Sequence, residues 1–369
     1  MKKTNRVRQY ILLISAVVVL LLIILFINLI GYQKKEVPKI GLIITSSSEE
    51  TGWNGAHYQG VKYACEQLNT ELIVKENILE GTGDCEEAVR ELIAEGAGMI
   101  ILSSYAYPEE LRDVVTEYPD IAFYGISAEH YAENMTSFFG RMYQARYLAG
   151  IIAGMKTESG LVGYVAAMPN IEVNRGINAF TLGVKKVNPD ATVNVIWTNT
   201  WDDENREIEA TNKLIDEVGV DVITYHQNKN YVAQVADEAG IYSIGYNEAA
   251  EGLSEKYLTA IVWNWNELYY QILREYMQGN ANTEKRYWYG IETDVVMLTE
   301  YSEAVDEDIC KAVDSAKNAL FGGKDVFSGV IYDNTGQLRC NVGESISDEV
   351  LLEKMDWYVD GVVIYEYYE

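Results

Sequence analysis

The amino-acid sequence predicts an α/β protein of two lobes, each a parallel sheet flanked by helices, preceded by one transmembrane helix. Three observations carry that prediction. A 21-residue run from Tyr10 to Ile30, "YILLISAVVVLLLIILFINLI", has Ser15 and Asn28 as its clearly polar interruptions. Beyond Pro38, short apolar runs alternate with amphipathic segments of helical period, as expected for strands covered on both faces. Midway along the chain the alternation begins again, so two open sheets of similar size are expected, with a cleft between them.

The apolar run comes first in chain order. Its 21 residues, at ~1.5 Å rise each, reach ~30 Å, the thickness of a bilayer core. Lys2, Lys3, Arg6 and Arg8 precede it and favour a cytoplasmic N-terminus, although Lys34, Lys35 and Lys39 follow and leave the asymmetry modest. The run is longer than a signal-peptide core, and no small-x-small cleavage pattern follows "INLIGYQKKE". No cysteine occurs before Cys65 to carry a lipid. The expectation is an uncleaved anchor over 10–31, a cytoplasmic tail over 1–9 and a linker over 32–38, with the C-terminal domain extracellular at the cell membrane.

The first lobe is read over 39–137. "KIGLIIT" is a buried strand, and a loop leads to a helix from about Ala56 to Leu68. "TELIVKENI" is the second strand, "DCEEAVRELIAEG" a helix with Asp84 as its cap, and "AGMIILSS" the third strand. "YPEELRDVVTEYP" and "IAFYGIS" complete the set as helix and strand. The second lobe, over 138–264, repeats this: helix "QARYLAGIIAGMKTE", strand "GLVGYVAA", helix "EVNRGINAFTLGVKKVN", strand "ATVNVIWTN". Helix "DDENREIEATNKLIDEVG", strand "VDVITYHQ", helix "NYVAQVADEAG" and strand "IYSIGYN" follow. "TAIVWNWNELYYQILREYMQG" then carries a strand straight into a helix, returning the chain to lobe one over 265–290. "RYWYGIETDVVMLT" is a third crossing, lobe two resumes over 291–345 with a helix in "DEDICKAVDSAKNALFGG", and 346–369 is a C-terminal segment.

Charge excludes one class of partner. Residues 1–39 hold seven of the 29 Lys/Arg and one of the 56 Asp/Glu, so the remaining 330 carry 22 and 55, a net of −33. Such a surface repels phosphate backbones, so no nucleic acid is expected to bind. Cys65, Cys85, Cys310 and Cys340 form no CxxC and no Cys/His group of metal spacing, so no metal or other cofactor is expected. Pairing of Cys65 with Cys85 and Cys310 with Cys340, or four free thiols, are both open. A soluble monomer is expected for the two lobes.

Ligands of such sheets sit beyond the carboxyl ends of the strands. The loops expected there are "TSSSEETGWN", "LSSYAYP", "GISAEH", "AAMPNIE", "TNTWDDE", "YHQNKN" and "GYNEAAEG", rich in Trp, Tyr, Asn and Ser and lacking a phosphate-binding glycine loop. An acid, a glycine, Trp53 and Asn54 together before a helix make a poor core and a good pocket for something flat and polar-edged.

At this point "EETGWN", "GRMYQARYLAG", the block from "GYVAAMPNIEVNRGINAF" to "WTNTWDD", "GIYSIGYN" and "WNWNELYY" together resemble one family. It is the basic membrane protein family of purine-nucleoside-binding proteins, substrate-binding subunits of ABC transporters with the periplasmic-binding-protein type 1 fold. The resemblance covers about 39–330. It implies that Trp53 stacks on one face of a purine, that Glu50 and Asn54 contact the ligand, and that Phe180 covers the opposite face. It places Asn247 where many members have an aspartate, and Trp263 with Asn264 where many have a lysine. Those departures remove charges that would grip ribose, so a free base and a nucleoside are both open as ligand. Trp201 and His226 join the expected ligand-binding set from their cleft loops.

The physics of a purine fits this set: aromatic stacking contributes ~1–3 kcal/mol per base, and amide and carboxylate groups read the edge by hydrogen bonds. The partners implied are the ligand and a transporter permease, with a purine-sensing receptor ectodomain as the alternative. An enzyme is not expected. His57 is read as a surface or pocket-edge residue and His130 as a solvated loop residue. His226, the one histidine placed at the cleft, has no evident ordering partner for acid–base work. Asp202 and Asp203 read as a helix cap and a first-turn acid.

Overall fold

β-Branched and aliphatic runs form the strands, and the segments between them fold as helices that cover both sheet faces. The computed structural model describes residues 15, 17–22, 37–50, 52–127, 132–279 and 286–365. The first lobe takes β1 (Lys39–Ile43), β2 (Glu71–Lys75), β3 (Ala97–Leu102), β4 (Ala122–Ile126) and β5 (Met135–Gly140). The second takes β6 (Leu161–Ala166), β7 (Thr192–Trp197), β8 (Val222–His226), β9 (Tyr242–Asn247) and β10 (Tyr257–Trp263). The chain returns for β11 (Tyr287–Tyr289) and crosses again to β12 (Val296–Leu298). A hairpin of β13 (Ile331–Tyr332) and β14 (Leu338–Cys340) and a last strand, β15 (Val362–Tyr365), complete it.

Among the described residues, sheet one has the order β11-β5-β4-β3-β1-β2 and sheet two β12-β10-β9-β8-β6-β7-β15. Neighbours within the two sheets run parallel except β10 with β12. In each lobe the winding reverses beside its first strand, between β1 and β3 and between β6 and β8. These are the two switch points at which such sheets open a crevice for ligand.

Three connections join the lobes, and they lie side by side. Arg141 N–H donates to the Tyr289 carbonyl at 2.6 Å and Asn264 N–H to the Val295 carbonyl at 2.8 Å. Trp288 Nε1 donates to the Gly140 carbonyl at 3.0 Å. Gly140 is required by close approach: a Cβ there would stand 2.5 Å from the Trp263 ring and 2.7 Å from the Val296 side chain. The helix Trp265–Met277 then packs on the helix Trp53–Leu68 of lobe one.

Several expectations need correcting. Trp53 is the first residue of its helix, not a loop residue, because Gly52 takes the break at φ 110° and no side chain caps the end. β5 and β15 were not read as strands: β5 follows the polar "AEN", and β15 is four residues near the chain's end. β15 adds to the β7 edge of sheet two, so the C-terminal segment belongs to lobe two. Of the two cysteine alternatives left open, the structure has four separate thiols, with Cys65 and Cys85 in different core clusters. His57 is fully buried rather than at a surface. The tail over 1–9 and His130 lie outside the described residues, as does most of the expected anchor over 10–31. Residues 15 and 17–22 of that run are helical and exposed. Among the described residues no helix is long and apolar enough to cross a membrane.

Candidate functional site

Lobe one brings the end of β1 and the end of β3 to its switch point, and Trp53 sits there. Its indole Nε1 donates to the Ser103 carbonyl at 2.9 Å, which fixes the ring against the loop after β3. The ring packs edge-on to His57 at 4.3 Å and Trp265 at 5.4 Å, and 36% of the residue remains exposed. Asn54 and Glu50 form the support beneath it. Asn54 Oδ1 accepts from the Thr45 N–H and hydroxyl, both at 3.0 Å, and its Nδ2 donates to Glu50 Oε1 at 2.6 Å. Hydrogen bonds from Asn54 and then Ser46 hold the Glu50 carboxyl below the usual range, and Lys229 of the opposite lobe adds to this. Asn54 is therefore largely consumed in bracing its own loop, and Glu50 is an ionised group at the mouth of the cleft.

Behind Trp53 lies an aromatic layer at the crossings. His57 Nδ1 is 2.5 Å from the Tyr269 hydroxyl, and burial pushes the imidazole down to about 3, so it is neutral. Trp263 stacks on Trp265 at 4.8 Å and 17°, and tilts on Phe139 at 4.6 Å. Asn264 caps the helix Trp265–Met277, its Oδ1 accepting from the Glu267 N–H at 3.3 Å. Trp263 is thus mostly core of the hinge, and Asn264 acts first as a helix cap.

Lobe two brings Trp201, His226 and Asn247 to its own strand ends. Trp201 is 38% exposed. Its ring meets the buried His226 at 5.9 Å, and His226 tilts on Tyr246 at 4.3 Å. Asn247 adopts the left-handed conformation at φ 72°, which asparagine tolerates better than most residues, so backbone geometry alone accounts for an amide residue there. Phe180 is not brought to the cleft. It is 0% exposed, edge-on to Tyr164 at 5.8 Å within the lobe-two core, and no face is left for a ligand.

One residue of this site was missed. Arg146, in the helix Met142–Lys156, is fully buried beneath His226 and Tyr246. Its Nη1 donates to the Tyr225 carbonyl at 2.9 Å and its guanidinium lies 4.1 Å from the Tyr246 ring. Burial, then Arg146 and Arg175, hold His226 well below its ordinary value, so it too is neutral. An arginine inside "QARYLAG" reads as one polar position of an amphipathic helix; only the packing of this helix against sheet two and the helix Ile171–Val187 reveals it as interior.

Glu207 shows that a buried carboxyl here is structural. Its Oε1 accepts from the Asp203 N–H at 3.3 Å while Asp203 caps the helix Glu204–Lys213, the reciprocal arrangement of a capping box one residue longer. Burial, with Asp202 and Asp203 adding, pushes its carboxyl from 4.5 up to about 8. The folded protein keeps this proton where the unfolded chain has lost it, so the group costs stability progressively as pH rises from 4.5 to about 8. Glu207→Gln is expected to stabilise the protein at pH 8 by on the order of 1 kcal/mol, seen as a higher Tm, with the gain shrinking toward pH 5. Scanning calorimetry at the two pH values decides it; an equal effect at both contradicts the assignment.

Among the described residues the two cleft-side histidines, both neutral, have no carboxylate partner, and no group of side chains is placed to hold a metal ion. A groove of about 690 Å³ between the helix Ile171–Val187, the helix Glu307–Phe321 and β13 shares no residue with the loops after the strands.

The chain is similar to several known proteins. Residues 37–322 match the family described as Bmp: ABC transporter substrate-binding protein PnrA-like. A purine-binding protein of Brucella abortus is 31% identical over 332 residues, covering 89% of this chain and 93% of that protein. A putative ABC transporter glucose-binding protein of Haloferax volcanii is 33% identical over 334 residues, covering 90% and 82%. Among solved structures, a transcriptional activator of the comK gene from Bacillus halodurans superposes with a TM-score of 0.70 at 22% identity, over 78% of this chain and 99% of that one.

Proposed function

The chain belongs to the Bmp family of PnrA-like ABC transporter substrate-binding proteins, and we propose that its cleft captures a purine base or nucleoside for delivery to a permease. It is a substrate-binding component with the two-lobed periplasmic-binding-protein type 1 fold, not an enzyme. Support for a purine comes from one observation above the others: Trp53, braced by its bond to Ser103, keeps a third of its surface open at the lobe-one switch point. A planar heterocycle has two apolar faces to offer such a ring. The purine-binding relative at 31% identity points the same way. The glucose-binding relative at 33% favours a second reading, a hexose held against the same indole.

In this proposal residues 10–31 anchor the protein in the membrane, with the lobes outside the cell. Trp53, Glu50, Trp201, His226 and Asn247 line the ligand, while Asn54, Trp263 and Asn264 hold the loops that present them. Calorimetric titration of the detergent-solubilised protein, first unfolded and refolded to remove carried-over ligand, tests this directly. Adenine, hypoxanthine, adenosine, guanosine and glucose are the titrants. A purine is expected to bind and glucose not; binding of glucose alone would replace the purine reading with the hexose one.

A further inference from the structure

The guanidinium of Arg146 is buried with a full charge and only one of its nitrogens engaged. Its Nε and Nη2 have no hydrogen-bond partner among the described residues, and the same holds for Tyr164 Oη and His226 Nδ1. These atoms converge. A Cβ placed on Gly176 would stand 3.5 Å from Tyr164 Oη, 3.6 Å from His226 Nδ1 and 3.7 Å from Arg146 Nε. The helix Ile171–Val187 thus crosses above them at its one residue without a side chain in that turn. A chain of contacts links them to the cleft surface: exposed Trp201 meets His226, His226 meets Tyr246, and Arg146 lies against the last.

Nε–H and Nη2–H lie on one edge of the guanidinium and form its side-on fork, so what is unfilled is a matched pair of parallel donors. Glu172 in the first turn of the helix Ile171–Val187 lies within electrostatic range of Arg146 and of Arg175. It accepts no hydrogen bond from either among the described residues, and Arg175 is spent on the Leu351 carbonyl. The donors therefore call for two acceptors side by side on whatever enters the cleft.

Resting on the purine reading above, we propose that the Arg146 fork takes O6 and N7 of a 6-oxopurine, so that lobe two selects hypoxanthine- and guanine-type bases over adenine. That edge of the base presents two acceptors at the spacing of an arginine fork. Adenine presents one acceptor and an amino donor, which meets Nη2–H donor to donor and leaves a buried group unpaired. Neutral His226 and the Tyr164 hydroxyl complete the surroundings, each able to donate or accept as its proton is placed. Gly176 leaves free the position that a Cβ would take against all three.

The test titrates the refolded full-length protein in detergent with hypoxanthine, guanine and adenine, alongside Gly176→Ala and Arg146→Met. Wild type is expected to bind hypoxanthine roughly ten- to a hundredfold tighter than adenine. Gly176→Ala places a methyl at ordinary contact distance and favours the helix, so it should fold with unchanged or raised Tm yet lose at least tenfold in hypoxanthine affinity. Arg146→Met should bind the two bases alike; if that variant does not fold, Gly176→Ala decides. Purines that bind with adenine equal or preferred overturn this inference and leave the purine reading standing. A Gly176→Ala protein that titrates like wild type overturns it too, the converging atoms then enclosing only internal water. If no purine binds, both fall.

Discussion

Trp53→Ala is expected to lower affinity for a purine roughly ten- to a hundredfold, the equivalent of one stacking face at ~1–3 kcal/mol. The ring is positioned for this by three contacts: its N–H on the Ser103 carbonyl, and its edges on His57 and Trp265. Trp53→Phe should recover much of the affinity, because the face matters more than the N–H. It should also cost ~0.5–1.5 kcal/mol of stability through the lost bond to Ser103. Ligand should change the indole fluorescence of the wild type, and Trp53→Ala should lose most of that signal. Calorimetric titration of the three proteins is the direct measurement. If purines bind the wild type and Trp53→Ala matches it, the stacking surface lies elsewhere, with exposed Trp201 the next residue to replace.

The parts of the fold that were legible in the chain are those where one residue pattern has one physical solution. A run such as "AGMIIL" is apolar on both faces, which only a strand covered on both sides can use, and β3 is buried along its length. Repetition of that pattern pointed to two sheets, and to the strand ends near which Trp53, Trp201 and His226 lie. What was not legible depends on partners distant in sequence. His57 in the first turn of a helix looks exposed until the helix Trp265–Met277 returns 212 residues later and covers it with Tyr269. Asn54 and Asn264 look like readers of a ligand edge, but an amide serves equally to brace a loop or cap a helix, and the structure uses both that way. Phe180 and Arg146 are both interior for one reason. The helices Met142–Lys156 and Ile171–Val187 pack so closely that nearly every side on both is interior, and a polar residue there is as buried as an aromatic one.

The same close packing makes Asn178 the residue whose loss should cost the most. It lies in the middle of the helix Ile171–Val187, fully buried, where an amide has no propensity advantage. Its Nδ2 donates to the Trp357 carbonyl at 2.8 Å and its Oδ1 accepts from the Val359 N–H at 2.9 Å, so it closes a two-bond clamp on the C-terminal segment. Asn174 donates to the Met355 carbonyl at 3.2 Å and Arg175 to the Leu351 carbonyl at 2.6 Å, and the three residues share one helix face. The clamp seats buried Leu351, Met355, Trp357 and Val359 on the helix and delivers β15 to the edge of sheet two. Asn178→Ala would leave a buried carbonyl and a buried N–H unpaired at once, at ~1–3 kcal/mol each. A fall in Tm of roughly 5–15 °C is expected for a unit of this size. Asn174→Ala, which frees a single carbonyl, should cost about half as much. Differential scanning calorimetry of both variants, with amide hydrogen exchange at Val359 and along β15, measures the effect and its location. Fast exchange there with unchanged exchange in sheet one is the expected pattern; a drop in Tm below that of Asn174→Ala would show that the helix face, not the clamp, holds the segment.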